Sequence, residues 1–243
     1  MNWLPYLPKD LDVQVSKSQD YEACASYSAI HILEMVLMKK TGYFWEFSER
    51  ALAKLSDTQP WGNSLQNVVN ALNQYGVLLD EDWDALTYSD KYEDIDWAEY
   101  YAPIPEAVLK RAYRVKASFS KLSPLQATTA LKEAPLWTIV KTSSGRLHCV
   151  TQISDTQFYD SYEVRIKNFS DGYPIQSQYK LTIKMTNMPN SVFVKKAGTG
   201  EFGFYLPALS EDALKDKAMN LGINILKPDG TIDYSLAKEI TGL

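Results

Sequence analysis

Residues 19–30 read QDYEACASYSAI, and they decide the fold because they deliver a cysteine to the start of a helix. From Ala23 to Lys39 neither Gly nor Pro interrupts a run of helix-forming residues, which predicts a helix ending near Thr41. Cys24 then lies in the first turn, where unpaired amide donors and a partial positive charge stabilise a thiolate. A cysteine at such a place is also commonly a small buried apolar residue. Cys24 is therefore a candidate nucleophile that needs support from the rest of the chain.

The composition is that of an ordinary globular protein. The 243 residues are 45% hydrophobic and 23% charged, with a net charge of −5, enough for one large or two small domains. No cluster of Lys and Arg interleaved with aromatic residues indicates a nucleic-acid surface. No apolar run reaches the ~18 residues of a membrane span, and residues 1–9 lack the pattern of a signal peptide. We expect no nucleic-acid or membrane partner, and a location in the cytoplasm or in a virion.

Predicted helices fill the first half of the chain and predicted strands the second. The helices cover about 23–41, 47–55, 65–74, 107–115 and 124–133, and the strands cover 117–120, 136–140, 147–153, 157–160, 179–183 and 191–194. This order predicts an α+β fold of two lobes with a groove between them. We expect a domain over 1–198, with a helical lobe over about 19–115 and a β lobe over about 116–198. Residues 199–243 are expected to form a small C-terminal helical appendix that could dock a protein partner.

A thiol nucleophile needs a base, and the chain has two histidines. His31 follows Cys24 by seven residues, which on one helix is a rise of about 10.5 Å and too far for a hydrogen bond. His148 begins a predicted strand and could reach the cysteine across a groove. Cys149, the next residue, is expected to point to the opposite face of that strand and into the core. His148 is therefore the candidate base.

A third group should orient the imidazole, and two residues compete for that role. A hairpin that turns about Asp155 places residues near 160–162 opposite His148, which favours Asp160. Asn168 lies further along the chain and remains the alternative. The oxyanion formed by attack on a carbonyl needs donors, and the backbone amide of Cys24 with the side-chain amide of Gln19 are the candidates.

Five blocks in this order resemble the papain-like cysteine peptidases. They are Gln19 with residues 24–29, residues 47–52, residues 62–65, residues 75–83 and residues 148–150. The resemblance covers about 13–185. It implies a helical lobe that carries Cys24 and an antiparallel β lobe that carries His148. It also implies that Gln19 lines the oxyanion hole and that Gly62, Asn63 and Ser64 lie along the groove, where backbone groups bind an extended peptide. The Asp after the histidine strand resembles the Asp that bacteriocin-processing peptidases of the same superfamily use. This resemblance suggests a divergent bacterial or phage-type member.

The sequence supports three functions on this fold. The first is a cysteine peptidase acting on a peptide or protein substrate, with no cofactor and no metal. The second is a catalytically inactive structural or interaction module, for example a component of a phage particle. The third is another acyl-transfer enzyme with the same residues, such as a cell-wall amidase or a transglutaminase-like crosslinker.

Overall fold

The computed structural model describes residues 2–7, 22–41, 43–83, 103–186, 192–196 and 202–205. The helices are α1 Cys24–Thr41, α2 Glu49–Leu55, α3 Leu65–Tyr75, α4 Glu106–Leu109 and α5 Pro124–Ala130. The strands are β1 Tyr43–Phe44, β2 Val115–Leu122, β3 Leu136–Lys141, β4 Leu147–Gln152, β5 Gln157–Asp160, β6 Arg165–Asn168, β7 Ile175–Met185, β8 Val192–Lys196 and β9 Phe202–Tyr205.

Six strands form one antiparallel sheet in the order β2-β7-β3-β4-β5-β6. A second, three-stranded sheet has the order β1-β8-β9. The helices α1, α2 and α3 precede the large sheet in the chain and pack against one another, and α1 and α3 also pack against the sheet. The α+β prediction is confirmed, with Cys24 at the start of a helix and His148 on an antiparallel strand.

The main core lies between α1 and the large sheet. Apolar side chains of α1, α3 and β3 meet there, and Trp137 is fully buried among them. Burial of an aromatic ring removes 150–250 Å² from water, so this contact contributes strongly to holding α1 on the sheet. The core residues that carry the contact are Ile30, Leu33, Leu37, Val68, Leu72, Trp137 and Cys149.

Three helices begin at serine caps, as the sequence predicts, and Ser123 caps the third of them, α5. The hydroxyl of Ser48 accepts a hydrogen bond from the Ala51 amide, and that of Ser64 accepts one from the Asn67 amide at 3.0 Å. Gly76 ends α3 with φ +88°, and a Cβ there would lie 2.2 Å from the Tyr113 carbonyl oxygen. No side chain fits that close approach, so glycine is required.

The helix predicted over 107–115 is wrong in extent. Only Glu106–Leu109 is helical, and β2 already begins at Val115. Two backbone hydrogen bonds between Val77 and Tyr113, of 3.0 and 2.8 Å, pull the chain out of the helix. Similarly, α5 ends at Ala130, three residues before the predicted end.

Three strands were not predicted: β1, β6 and β9. The last of these, Phe202–Tyr205, falls inside the range assigned to the C-terminal appendix and pairs with β8. The helices expected further along the appendix, and Gln19, lie outside the described residues. Within the described part of the chain, no helix combines the length and apolar character that crossing a bilayer requires.

Candidate active site

Cys24 is the first residue of α1 and is partly exposed. The start of α1 is fixed to the sheet by three hydrogen bonds. The Trp137 indole donates to the Ala25 carbonyl at 3.2 Å, and the Ser28 hydroxyl donates to the Cys149 carbonyl at 3.0 Å. The Thr151 hydroxyl donates to the Ser28 carbonyl at 3.4 Å. These bonds lock the nucleophile candidate in place relative to β4.

His148 lies on β4 and carries its ring to the mouth of the site, where the side chain is 12% exposed. Its Nε2 lies 2.9 Å from Oδ1 of Asp160. Cys149 is buried in the core on the opposite face of the strand, as expected from strand alternation. Asp160 of β5, rather than Asn168, is the residue in contact with the ring.

The strand register explains this contact. Thr151 pairs with Tyr159, so by extension Asp160 lies opposite Val150 and on the same face as His148. Pairing of β4 with β5 is confined to two residue pairs, and the site lies where the two strands separate. His148 and Asp160 are therefore diagonal neighbours across the hairpin.

Cys24 joins this pair from the helix. The Cys149 amide donates to Cys24 Sγ at 3.4 Å, and Cys24 and His148 line the same cleft. Burial alone lowers the pKa of His148. Hydrogen bonds with Asp160 and with Cys24, together with their negative charges, outweigh burial and raise the pKa to about 10. The ring is therefore an imidazolium at neutral pH, and it can stabilise a thiolate.

Asp160 is almost fully buried and is held as a carboxylate. Burial alone raises its pKa, but hydrogen bonds and charges from His148 and Lys167 outweigh burial and lower the pKa to about 2. The Tyr162 amide also donates to Oδ1 at 3.0 Å. Three donors thus converge on one carboxylate, which fixes its orientation.

Lys167 is a member of the site that the sequence did not reveal. Its side chain is only 6% exposed, and Nζ lies 2.7 Å from Oδ2 of Asp160. Nζ also contacts a Glu163 carboxylate oxygen, and it donates to the Tyr173 hydroxyl at 2.9 Å. Burial opposes the charge, but these partners raise the pKa of Lys167 above its ordinary value. A lysine is exposed in most proteins, so residue type alone gave no signal.

The other predicted site residues lie elsewhere or act locally. Asn168 accepts a hydrogen bond from Gln157 at 3.3 Å and donates to Asp171 at 3.1 Å, so the histidine contact belongs to Asp160. Asn63 uses its side-chain amide to hold the loop that precedes α3, through Ser56 and Thr58.

Gly62 connects that loop to the site. It adopts φ +114°, and a Cβ built there would lie 3.8 Å from a carboxylate oxygen of Glu22. Glu22 lies two residues before Cys24 and has the left-handed φ of 61°, which is uncommon for a residue with a side chain. The Gly62 loop and the cysteine loop therefore meet beside the nucleophile candidate.

A cleft of about 310 Å³ contains the site. Cys24, His148 and Asp160 line it together, and the exposed side chains of Leu147 and Tyr162 form part of its rim. An ion pair between Glu22 and Arg146 joins the loop before α1 to the hairpin between β3 and β4. Both of these residues line the same cleft. The described residues include no group of three or more His, Cys, Asp and Glu side chains that could hold a metal ion.

No family model matches the chain, and no curated protein sequence matches it. The solved structures that are similar in fold include two cysteine proteases. One is the Amb a 11 cysteine protease of ragweed pollen in its proform, with a TM-score of 0.47 and 14% identity over 78% of this chain and 71% of that chain. The other is the clostridial cysteine protease Cwp84 after propeptide cleavage, with a TM-score of 0.46 and 14% identity over 75% of this chain and 59% of that chain. Likeness at this level carries no activity from those proteins to this chain, so function rests on the geometry of the site.

Proposed function

We propose that this chain is a cysteine-type peptidase that hydrolyses peptide bonds. The observation that carries the proposal is that Cys24, His148 and Asp160 line one cleft, with Nε2 of the ring 2.9 Å from the Asp160 carboxylate and Cys24 Sγ held by the Cys149 amide at 3.4 Å. A nucleophile, a base and an orienting group in contact are what acyl transfer by a thiol requires.

The reaction proceeds in two steps. The Cys24 thiolate attacks the carbonyl carbon of the substrate, and the oxyanion is stabilised by the Cys24 amide at the start of α1, with Gln19 as the proposed second donor. The His148 imidazolium gives its proton to the leaving amine as the C–N bond breaks, which leaves a thioester. Neutral His148 then takes a proton from water as the water attacks the thioester. The acid product leaves, and the thiolate–imidazolium pair is restored.

Asp160 keeps the ring in position through both steps, because Nε2 stays hydrogen-bonded to Oδ1 and the other ring nitrogen is left for the thiol and the substrate. We propose that the backbone of residues 62–64 binds the substrate as an extended strand beside Cys24, at the cleft edge where Gly62 meets Glu22.

The test is hydrolysis of a peptide mixture of varied sequence, with new chain termini detected by mass spectrometry. We expect cleavage by the wild-type chain and none by Cys24→Ala, with near-ultraviolet circular dichroism showing that both are folded. Asp155→Asn, which changes an exposed residue of the β4–β5 turn, is the control and should cleave normally. Equal cleavage by wild-type and Cys24→Ala proteins would refute the proposal.

One observation favours a second candidate, a catalytically inactive interaction module such as a phage particle component. Glu22 and Arg146 form an ion pair and line the same cleft as Cys24, where the pair would restrict the approach of a substrate. On this alternative the peptide mixture remains uncleaved, and removal of residues 199–243 abolishes assembly with a protein partner. Release of ammonia from glutamine peptides in the presence of amines would instead point to a crosslinking enzyme.

A further inference from the structure

The carboxylate behind His148 is shared between two cations. Oδ1 of Asp160 lies 2.9 Å from the ring nitrogen, and Oδ2 lies 2.7 Å from Nζ of Lys167. The register accounts for this arrangement, because Asp160 pairs with Arg165 and Phe158 pairs with Lys167. Lys167 is thus the diagonal neighbour of Asp160 on one side, as His148 is on the other.

Burial of the Lys167 side chain at this place is energetically unfavourable. Its side chain is 6% exposed, and moving an ammonium out of water is strongly unfavourable even after relaxation. An apolar side chain of similar length against the Tyr173 ring would avoid that cost. A buried ion pair is weak evidence that its residues stabilise the fold. The effect of the Lys167 charge on Asp160 and His148 is therefore the more informative property.

We propose that Lys167 is a positioning residue that offsets the charge of Asp160 and holds its Oδ1 on His148, so that the imidazolium remains a competent acid. A carboxylate without a counter-cation would bind the ring proton more tightly, and an acid that holds its proton too tightly transfers it slowly to a leaving amine. The catalytic part of this proposal rests on the proposed peptidase function, whereas the electrostatic part does not.

The charges around His148 come from several elements. Cys24 faces it from the start of α1, Asp160 from β5 and Lys167 from β6. Glu163, in the turn between β5 and β6, contacts Lys167, and Glu22 and Arg146 pair with each other in the same cleft. The Cys149 thiol is on the opposite face of β4, where burial keeps its pKa well above the usual value and the thiol neutral. Among the described residues, Lys167 is the buried cation other than the ring itself that contacts the carboxylate of Asp160.

The test measures the pKa of His148 by nuclear magnetic resonance in a Cys24→Ala background, which removes the thiol group from the site. The chain has two histidines, so a His148→Ala spectrum assigns the signal. In Lys167→Met we expect the His148 pKa to rise by about one to two units, the effect of losing a unit charge roughly 7 Å away at an effective dielectric constant of about 20. In Lys167→Arg, which retains the charge, we expect less than about half of that rise. Equal pKa values in the Met and Arg variants would overturn the proposal.

A second variant keeps the test decisive if Lys167→Met does not fold. The Glu163 side chain is 37% exposed and contacts Lys167, so Glu163→Gln is less disruptive and removes a negative charge. The His148 pKa should then fall, opposite in sign to the lysine variant, and an unchanged value would overturn the proposal.

Kinetics separates this inference from the proposed function. With Cys24 present, Lys167→Met should lower kcat with little change in KM, and Lys167→Arg should recover most of kcat. Failure of the wild-type chain to cleave any peptide would refute the proposed function and leave the pKa comparison valid.

Discussion

Replacing Asp160 by Asn tests the electrostatic basis of the site. The change keeps the shape of the side chain and removes its charge. The carboxylate oxygen lies 2.9 Å from Nε2 of His148, which places the two charge centres roughly 4 Å apart. At an effective dielectric constant of about 20, such a pair interacts by about 4 kcal/mol, equivalent to about three pKa units. From about 10 in the native protein, the His148 pKa should fall to about 7 or below in Asp160→Asn.

In Asp160→Asn, the charge of Lys167 also lowers the His148 pKa. In Asp160→Asn its ammonium loses the partner at 2.7 Å and stands as a buried charge facing the imidazole. Removing one partner of a buried pair costs about 3–5 kcal/mol of stability, so folding must be checked by near-ultraviolet circular dichroism. The double variant Asp160→Asn/Lys167→Met also removes the ammonium. It should recover stability, and its His148 pKa should lie between the value in Asp160→Asn and the value in the native protein.

The assay follows the imidazole Cε1–H signal against pH in a proton–carbon correlation spectrum. Asp155→Asn removes an exposed carboxylate from the same hairpin and should leave the His148 pKa unchanged. A His148 pKa in Asp160→Asn within one unit of the native value would refute the reasoning that Asp160 holds the ring as an imidazolium.

Two further predictions concern the pH dependence of stability and the access of reagents to Cys24. The His148 pKa of about 10 exceeds the ordinary 6.5, so its contribution to the free energy of unfolding is full below pH 6.5 and is lost as pH rises through about 10. The Asp160 pKa of about 2 is below the ordinary 3.8, so its contribution is full above pH 3.8 and is lost as pH falls through about 2. Urea unfolding at stepped pH should show both limbs, and an alkaline limb unchanged in His148→Gln would contradict the first. Separately, Arg146→Ala should speed alkylation of Cys24 by a bulky maleimide several-fold and cost at most about 1 kcal/mol of stability, because the residue pairs in the cleft but is largely exposed. Arg111→Ala, which breaks an exposed ion pair away from the cleft, is the matched control, and equal rates in the two variants would contradict the prediction.

The sequence predicts the parts of the site that depend on local patterns. Helix α1 follows from an unbroken run of helix formers, and its start at Cys24 follows from the loop residues before it. The β4–β5 hairpin follows from two β-rich runs with a short turn, and its register brings Asp160 to His148. Strand alternation likewise sends Cys149 into the core.

Lys167 shows why the rest could not be predicted. It lies on β6, a four-residue strand that reads Arg-Ile-Lys-Asn and has too few apolar residues to show a strand pattern. Its burial depends on Asp160, Glu163 and Tyr173, which converge only in three dimensions. The wrong extent of the helix predicted over 107–115 has the same origin. Tyr113 leaves the helix to pair with Val77, which lies far away in the sequence.

The central claim is that His148 activates Cys24, and iodoacetamide alkylation at pH 6 tests it most directly. We expect one label per chain, on Cys24, because Cys149 is only 3% exposed. In folded His148→Ala the alkylation rate of Cys24 should fall by on the order of tenfold or more. The rate follows the thiolate fraction, and loss of an interaction worth one pKa unit changes that fraction about tenfold. Equal alkylation rates in the wild-type and His148→Ala proteins would contradict the claim that the two residues act as a pair.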